Sequence, residues 1–355
     1  MDFFSLIIYL TIIFLTVLFC YLGYKKNSKL MLFIAILIPS FFAGIRYNVG
    51  TDYLAVYYPY YKDLVLDNIT VFNGRMELGF NILCKIVIWL NLGFPFLMFI
   101  CEFITMYFIL KALNKFKNKI SVPLGLFIYM VLYYQFSLNA VRQAISMSIF
   151  LYSITYLLEK KYLKYCFLIL IATLFHKTAL IGLLMIPFLE IFENRNRKFA
   201  RYTMYFIMLI MMINFDKIGI FLSNIDSLSY YSGYLLSKKS TGININYFIR
   251  VAIYIMPYVL LTKDYKKDCE MNFLFAYLVI GSLFRLLAYL TSTYGERIAL
   301  FFLIEQIIVV PYSIKNINNK KMILPIIIFC YLYLWYHTYF ISLSDQTVPY
   351  LTIFN

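Results

Sequence analysis

Apolar residues run along the chain in stretches long enough to cross a membrane, and short polar segments separate these stretches. The first stretch, Phe3 to Tyr24, has no basic residue before it and is followed by lysines at positions 25, 26 and 29. A cleavable signal peptide places its positive charge first, so this stretch is predicted to stay as a first transmembrane helix with its N-terminus outside. Further spans or hairpins are predicted at 30–45, 94–112, 120–138, 141–158, 165–192, 202–215, 247–262, 271–291, 298–314 and 322–342.

Lysine and arginine concentrate in short segments between the apolar stretches. Cytoplasmic loops of membrane proteins are enriched in these two residues, so the segments predict the cytoplasmic side and the alternation places the C-terminus outside. Two long loops, 46–77 and 216–246, then face outward. The basic segments are 25–29, 111–119, 160–164, 195–201, 263–267 and 315–321.

Two apolar stretches do not fit a single full crossing of the membrane. Leu78 to Asn91 is apolar but short and contains Lys85, which predicts a half-inserted or interfacial helix on the outer side. The stretch 165–192 must leave and return to the cytoplasm, and Tyr165 to Phe175 would cover only about 16 Å of a ~30 Å hydrocarbon core. This stretch is therefore predicted to be a broken or re-entrant hairpin with His176 near its turn.

Composition agrees with a membrane protein. Hydrophobic residues make up 63% of the chain, charged residues 14%, and the mean hydropathy is +0.78. A soluble domain of this length cannot bury so much apolar surface. The predicted fold is thus an all-α polytopic transmembrane bundle of about 10–12 spans, forming a single membrane domain over 1–355.

The net charge of +15 is mostly the orientation signal described above and, being dispersed over short loops, does not indicate nucleic-acid binding. Six cysteines without a close pair and only two histidines give little material for a disulfide framework or a zinc cluster. No metal site and no cofactor are expected.

Ionisable residues at membrane depth are functional candidates by default, and four groups fall on the outward side. Arg46, Asp52 and Glu77 bracket the first outward loop, where Tyr53 begins a tyrosine-rich run that suits either a membrane-interface belt or a sugar-stacking surface. Asn139, Arg142 and Gln143 are spaced i, i+3 and i+4, so they share one face if the segment is helical. The third group is His176, and the fourth is Glu296 with Arg297, preceded about three helical turns earlier by Arg285.

Each group also has a structural explanation. The arginines can snorkel to lipid headgroups, Glu296 and Arg297 can form a local ion pair, and His176 can be a hydrogen-bonded helix breaker. Several outward arginines beside an apolar bundle nevertheless suit a substrate with a lipid tail in the bilayer and an anionic head at its surface.

The order of these groups resembles a known family. Gly50-Thr51-Asp52 follows an arginine, Glu77-Leu78-Gly79 comes next, and then Asn139-x-x-Arg142-Gln143, Ala172-x-x-x-His176 and Glu296-Arg297. This pattern resembles the EpsG family of Wzy-type bacterial polysaccharide polymerases, from about residue 40 to 310. The most specific part of the resemblance is the pair Asn139-x-x-Arg142-Gln143 and Ala172-x-x-x-His176, which a lysine-rich, predicted cytoplasmic turn separates.

The resemblance implies a glycosyltransferase at the outer face of the bacterial cytoplasmic membrane. Such polymerases move a growing chain from undecaprenyl diphosphate onto a fresh lipid-linked repeat unit, without a nucleotide sugar or metal. A GT-C-like arrangement of helices is compatible with this activity. The expected partners are the undecaprenyl-diphosphate-linked oligosaccharide, membrane lipid, a chain-length regulator and a flippase.

The candidate residues fit that chemistry. Arginines can compensate the negative charge of the leaving diphosphate. Arg142 is the preferred residue for this role, and the supporting candidates are Arg297, Arg46 and Arg285. His176, Asp52 and Glu296 are the alternatives for the general base, and His176 is preferred because its ordinary pKa suits proton acceptance at neutral pH. The expected glycan-binding residues are Asn139, Gln143, Glu77 and Tyr53.

Other functions remain open on the sequence alone. A flippase or exporter would handle the same lipid-linked glycan, although internal repeats typical of transporters are not evident. A ligase would share the donor chemistry. A membrane O-acyltransferase would also use a histidine, but with a donor from the cytoplasmic side, and a purely structural membrane protein is a further alternative.

Overall fold

The computed structural model describes residues 2–72, 75–193, 210, 245–261, 268–291 and 293–354, and this part of the chain is α-helical without β-strands. It forms two compact units, Met1–Ala179 with Asn319–Asn355 and Leu180–Asn318. The all-α prediction is confirmed. The predicted span 202–215, the basic segments 195–201 and 263–267, and the loop 216–246 lie wholly or mostly outside the described residues.

The first unit is built from long apolar helices joined by short polar turns. Asp2 and Ser28 cap the first two helices, their side chains accepting hydrogen bonds from the backbone N–H groups of Ser5 and Met31 at 3.3 and 3.4 Å. The helices are α1 (Phe3–Lys25), α2 (Lys29–Ile45), α3 (Tyr58–Val65), α4 (Leu78–Trp89), α5 (Gly93–Lys115), α6 (Val122–Leu132), α7 (Tyr134–Asn139), α8 (Val141–Leu158), α9 (Tyr162–Thr173) and, after the second unit, α15 (Lys320–Tyr336).

Helix α8 is the centre of this unit. Within its membrane-length window, 83% of the residues are buried, compared with 33% for α1. It packs between α5 and α9, while α2 lies between α1 and α5. An apolar helix buried on nearly all sides belongs to the interior of a bundle, so residues at the start of α8 are held by their neighbours.

Two helix ends in this unit lie beside candidate site residues: α7 ends at Asn139, and α9 ends at Thr173, three residues before His176. The predicted span 120–138 is two helices, α6 and α7, interrupted at Tyr133, and α7 is separated from α8 by Ala140, whose φ and ψ of −92° and 55° are not helical. Helix α9 ends at Thr173, and a 3₁₀ segment, Lys177–Leu184, follows. The predicted interruption near His176 is confirmed.

The second unit packs its helices through aromatic stacking. The rings of Tyr277 and Phe302 lie 4.3 Å apart, and those of Tyr258 and Phe275 lie 4.0 Å apart. Such offset ring pairs add to the energy of apolar burial. The helices are α10 (Met185–Glu193), α11 (Ile245–Val259), α12 (Cys269–Thr291), α13 (Thr293–Leu303) and α14 (Gln306–Asn316).

Six helical segments in the described part of the chain are long and apolar enough to cross a membrane: Phe3–Lys25, Gly93–Lys115, Val141–Leu158, Cys269–Leu286, Gly295–Asn316 and Lys320–Ile341. Five shorter apolar helices accompany them. One of these is α4, whose 12 residues span only about 18 Å, which is too short for a full crossing. The chain is a polytopic helical membrane protein, and the interfacial position of α4 stays a prediction.

Close packing in the second unit requires glycine at position 281. A Cβ atom there would collide with the Cβ atom of Phe302 and lie 3.1 Å from its carbonyl carbon. Small residues allow membrane helices to approach in this way. We expect Gly281→Val to cost about 1–3 kcal/mol through overpacking, measured as a lower thermal midpoint in detergent. Leu283→Val, at a 49% exposed position of the same helix, should leave the midpoint unchanged; equal shifts would contradict the packing role of Gly281.

Candidate active site

The sequence Gly50-Thr51-Asp52 lies against the break between α7 and α8. Gly50 has φ of +94°, and a Cβ atom there would lie 3.2 Å from both the Cα atom of Asn139 and the carbonyl oxygen of Leu138. Glycine adopts such a φ readily and leaves room for the neighbouring backbone. The glycine of this motif therefore brings the loop 46–77 onto the end of α7.

The Asn139 side chain joins three segments of the first unit. Its Oδ1 atom accepts hydrogen bonds from Thr51 Oγ1 and from the backbone N–H of Asp52, both at 2.9 Å. Its Nδ2 atom donates to Asp345 Oδ1 at 3.0 Å. Both ends of the amide are thus used. Asp345 is a residue that the sequence analysis missed, because it is 206 positions away along the chain and belongs to no recognised motif.

Arg142 lies in the first turn of α8 and pairs with Glu77, to whose carboxylate its Nη1 atom donates a hydrogen bond. The side chains are 24% and 12% exposed, so the pair is largely shielded from solvent. Tyr57, which is 2% exposed, is also next to Arg142: burial raises the pKa of the Tyr57 hydroxyl, and the guanidinium opposes that rise. A carboxylate and a phenol thus surround this arginine.

Asn139, Arg142 and Gln143 do not share one helical face, as a continuous helix would require. The interruption at Ala140 directs Asn139 towards the loop and the C-terminal residues, and Arg142 towards Glu77. Gln143 is 2% exposed within the bundle. The expected single face is wrong because Asn139 ends one helix and Arg142 begins the next.

The turn that carries His176 is fixed to both α4 and α8. The backbone N–H of Gly79 donates to the carbonyl oxygen of Leu174 at 2.7 Å. Ser146, one turn after Arg142, donates to the carbonyl oxygen of Ala172 at 2.9 Å and lies 3.4 Å from that of His176. These bonds bring the start of α4, which follows Glu77, and the first turns of α8 to the histidine turn.

The imidazole of His176 is half-buried and faces Thr178. Its Nδ1 atom lies 3.1 Å from Thr178 Oγ1 and accepts a long hydrogen bond from the backbone N–H of the same residue at 3.5 Å. The hydroxyl can donate to Nδ1 or accept from it, depending on the tautomer. Thr178 is therefore the residue that orients this ring.

Arg46 and Tyr53 are buried in the packing of the loop that follows α2. Arg46 is 1% exposed, and its Nη1 and Nη2 atoms donate to the carbonyl oxygens of Ala43 and Leu138 at 2.9 and 2.8 Å. Tyr53 is 2% exposed, its hydroxyl donates to the carbonyl oxygen of Arg46 at 3.0 Å, and its ring packs 5.2 Å from that of Phe94. Neither side chain is exposed to a ligand, because each is enclosed by the loop that it stabilises.

The fourth group lies in the second unit. Arg285 Nη2 donates to Glu296 Oε1 at 3.0 Å, with side chains 17% and 31% exposed, and Arg297 is exposed. The ion pair in this unit therefore joins Glu296 to Arg285 in α12. A role for these three residues in substrate binding or catalysis stays a prediction.

The first unit thus forms two groups that meet at the break between α7 and α8. Asp52 lies with Asn139 and Asp345 in one group, and Glu77 lies with Arg142 and the His176 turn in the other. In the described part of the chain, no group of three or more His, Cys, Asp or Glu residues could hold a metal ion. The arrangement instead offers an arginine held by a carboxylate, an imidazole oriented by a hydroxyl, and a second carboxylate on a loop tied to Asn139. Such a set suits an anionic substrate and proton transfer.

Fold and site together define a polytopic membrane protein with an arginine–histidine site at the ends of broken helices. The model of the EpsG family matches residues 29–352. The chain belongs to the EpsG family, a Wzy-type polymerase family, and is an integral membrane protein with a polysaccharide polymerase-type function. Comparisons with curated proteins and with solved structures gave no match.

Gly79 provides a test of how the site is assembled. A Cβ atom at this position would lie 2.8 Å from the carbonyl oxygen and 3.0 Å from the Cβ atom of Leu174, so Gly79→Ala must displace the start of α4 and the neighbouring Glu77. We expect at least a roughly tenfold loss of polymer formation, because small displacements in a site are costly, with normal amounts of protein in the membrane. Ile82→Ala, at a 42% exposed position of α4, is the control. Full activity of Gly79→Ala would show that this close approach is dispensable.

Proposed function

We propose that this protein joins undecaprenyl-diphosphate-linked oligosaccharide repeat units at the outer face of the bacterial cytoplasmic membrane. The growing chain leaves its lipid carrier and is transferred to the non-reducing end of a fresh unit. In this proposal the N- and C-termini are outside, membrane lipid surrounds the bundle, and a chain-length regulator and a flippase are its partners. No nucleotide sugar, metal or other cofactor takes part.

The observation that carries the proposal is the Arg142–Glu77 pair next to the His176 turn. The leaving group of the reaction is a diphosphate, which develops negative charge as the sugar–oxygen bond breaks. A guanidinium binds phosphate oxygens through two parallel N–H groups. Arg142 is therefore the residue proposed to bind the diphosphate, and Glu77 keeps its side chain oriented before the substrate arrives.

His176 is the proposed general base. The 3.5 Å contact, in which the Thr178 backbone N–H donates, uses Nδ1 as an acceptor. The proposed base form uses the other tautomer, in which Nδ1 donates to Thr178 Oγ1 at 3.1 Å and Nε2 carries the lone pair. Nε2 then removes the proton from the acceptor hydroxyl as its oxygen bonds to the anomeric carbon of the donor chain. The bond from that carbon to the diphosphate oxygen breaks, and undecaprenyl diphosphate leaves with the electron pair.

The other candidate residues have supporting roles in this mechanism. Asp52, the alternative base, is proposed to bind a sugar hydroxyl, since its backbone is fixed by Asn139. Gln143 is proposed to support the first turns of α8, because its side chain is buried there. Arg46 and Tyr53 act through the loop and not by direct substrate contact. Arg285, Glu296 and Arg297 lie in the second unit, and their proposed roles remain those predicted from the sequence: anion binding for the two arginines and an alternative base for Glu296.

Replacing Arg142 tests the proposed function directly. In a strain that lacks the gene, a gel of surface polysaccharide should lose the ladder and keep a single-unit band, and the wild-type gene should restore the ladder. Arg142→Ala should fail to restore it, with activity lowered by roughly 100-fold or more, because a charge-stabilising group is lost. Arg142→Lys keeps the charge but not the planar fork and should restore only a small part of the ladder.

Arg75→Ala is the matched control, because Arg75 is an exposed arginine of the same outward loop. It should restore the full ladder. Loss of even the single-unit species in the deletion strain would indicate flipping or export, and an unchanged ladder would contradict the polymerase assignment.

Replacing Thr178 tests whether His176 acts as the general base or only supports the turn. Thr178→Val removes the hydroxyl but keeps the side-chain shape, so we expect about a tenfold loss of rate and a shifted acidic limb in the pH–rate profile. Thr178→Ser keeps the hydroxyl and should retain most of the rate. The measurement is polymerisation in membranes supplied with lipid-linked oligosaccharide from the deletion strain. An unchanged pH profile in Thr178→Val would argue against His176 as the base.

A further inference from the structure

The last residues of the chain return to the start of the first outward loop. The backbone N–H of Tyr47 donates to the carbonyl oxygen of Leu351, and that of Ile353 to the carbonyl oxygen of Ile45, both at 2.9 Å. The N–H of Gly50 donates to the carbonyl oxygen of Gln346 at 3.0 Å. Residues 343–354, called here the C-terminal strap, therefore hold the backbone that leads into Thr51 and Asp52.

The C-terminal strap is anchored in the interior of the first unit. Thr347 is 1% exposed; its carbonyl oxygen accepts from the Tyr9 hydroxyl at 2.7 Å, and its Oγ1 atom accepts from Gln135 Nε2 at 2.8 Å. Tyr350 is also 1% exposed, and its backbone N–H donates to Ser5 Oγ at 2.6 Å. Chain ends are poorly ordered unless such contacts hold them, so this strap is an integral part of the unit.

Asp345 occupies a backbone conformation that needs an explanation. Its φ is +64°, and Leu343 and Gln346 are also left-handed, each with φ of 48°. Left-handed backbone is unfavourable for residues other than glycine and is concentrated at functional sites. The conformation places the Asp345 carboxylate against Asn139 Nδ2 at 3.0 Å.

This contact holds the NH₂ end of the Asn139 amide. The two ends of an amide are similar in shape but opposite in hydrogen bonding. A carboxylate can only accept when ionised, so it selects the NH₂ end and leaves Oδ1 for Thr51 and the N–H of Asp52. The backbone N–H of Asp52 can only donate, so it selects the same orientation from the other end, and Asp345 and Asp52 together fix the amide.

We infer that Asp345 is a positioning residue of the polymerase, which fixes the Asn139 amide and through it the Thr51–Asp52 backbone beside the proposed site. The inference rests on the proposed function. The C-terminal strap is accordingly part of the catalytic unit, and the acidic side chain at position 345 acts through Asn139 and not through substrate.

An exchange of the two side chains tests the inference. Asn139→Asp alone places two carboxylates face to face, and Asp345→Ala removes the acceptor; each should lower polymerisation about tenfold or more. In the double variant Asn139→Asp with Asp345→Asn, the new amide donates to the new carboxylate, which still accepts from Thr51 and Asp52. The double variant should recover at least about half of the wild-type rate, since every hydrogen bond is restored.

The rate would be measured in membranes with lipid-linked oligosaccharide extracted from the deletion strain, and kcat and KM would be separated. Ser344→Ala, next to Asp345 in the C-terminal strap, is the control and should behave as wild type. Thermal midpoints in detergent identify any variant that simply fails to fold. If all single variants are folded and inactive but the exchange gives no recovery, Asp345 acts by its own charge and the inference is wrong. If wild type itself does not polymerise this lipid, the proposed function fails instead.

Discussion

The end of the first unit that carries Arg46 depends on how the carbonyl groups at helix ends are satisfied. An α-helix leaves its last four carbonyls without partners inside the helix, and where they are buried they need donors from elsewhere. Arg46 supplies such donors, bonding to Ala43 near the end of α2 and to Leu138 near the end of α7. Because one guanidinium joins both ends, the loop that follows begins at a fixed point, and Tyr53 packs over it.

The candidate site is a consequence of helices that stop early. A continuous helix through Asn139 and Arg142 would turn both side chains to one face, whereas the interruption at Ala140 sends them to different partners. The end of α9 at Thr173 similarly releases His176 from a helix. Irregular backbone of this kind is tolerated in membrane proteins where other protein segments surround it, and the glycines at 50 and 79 allow those segments to come close.

The sequence predicted the helical class, the bounds of α8 and the interruption near His176, because apolar run length and basic segments report on these directly. It also named Arg142, His176 and Glu77 as site candidates, and their roles stay predictions. It could not separate Arg46 from Arg142, since both are arginines near a helix end and only the packed structure shows that Arg46 is enclosed by carbonyl groups. Asp345 was missed for a different reason: its partner Asn139 is distant in sequence, and a single carboxylate near the C-terminus carries no periodic or motif signal.

The different surroundings of Arg46 and Arg142 bear on which of them can bind substrate. Displacing the neutral carbonyl groups around Arg46 would leave two helix ends without hydrogen-bond donors. Exchange of hydrogen-bond partners at this guanidinium is therefore unfavourable. Arg142 is held by an ionised side chain, and removing one member of a shielded pair without replacement would leave a costly unpaired charge. In the proposed mechanism, phosphate oxygens of the substrate bind N–H groups of the Arg142 guanidinium, which can hold them bidentately. The contact with Glu77 would keep the arginine oriented until that anionic head group arrives.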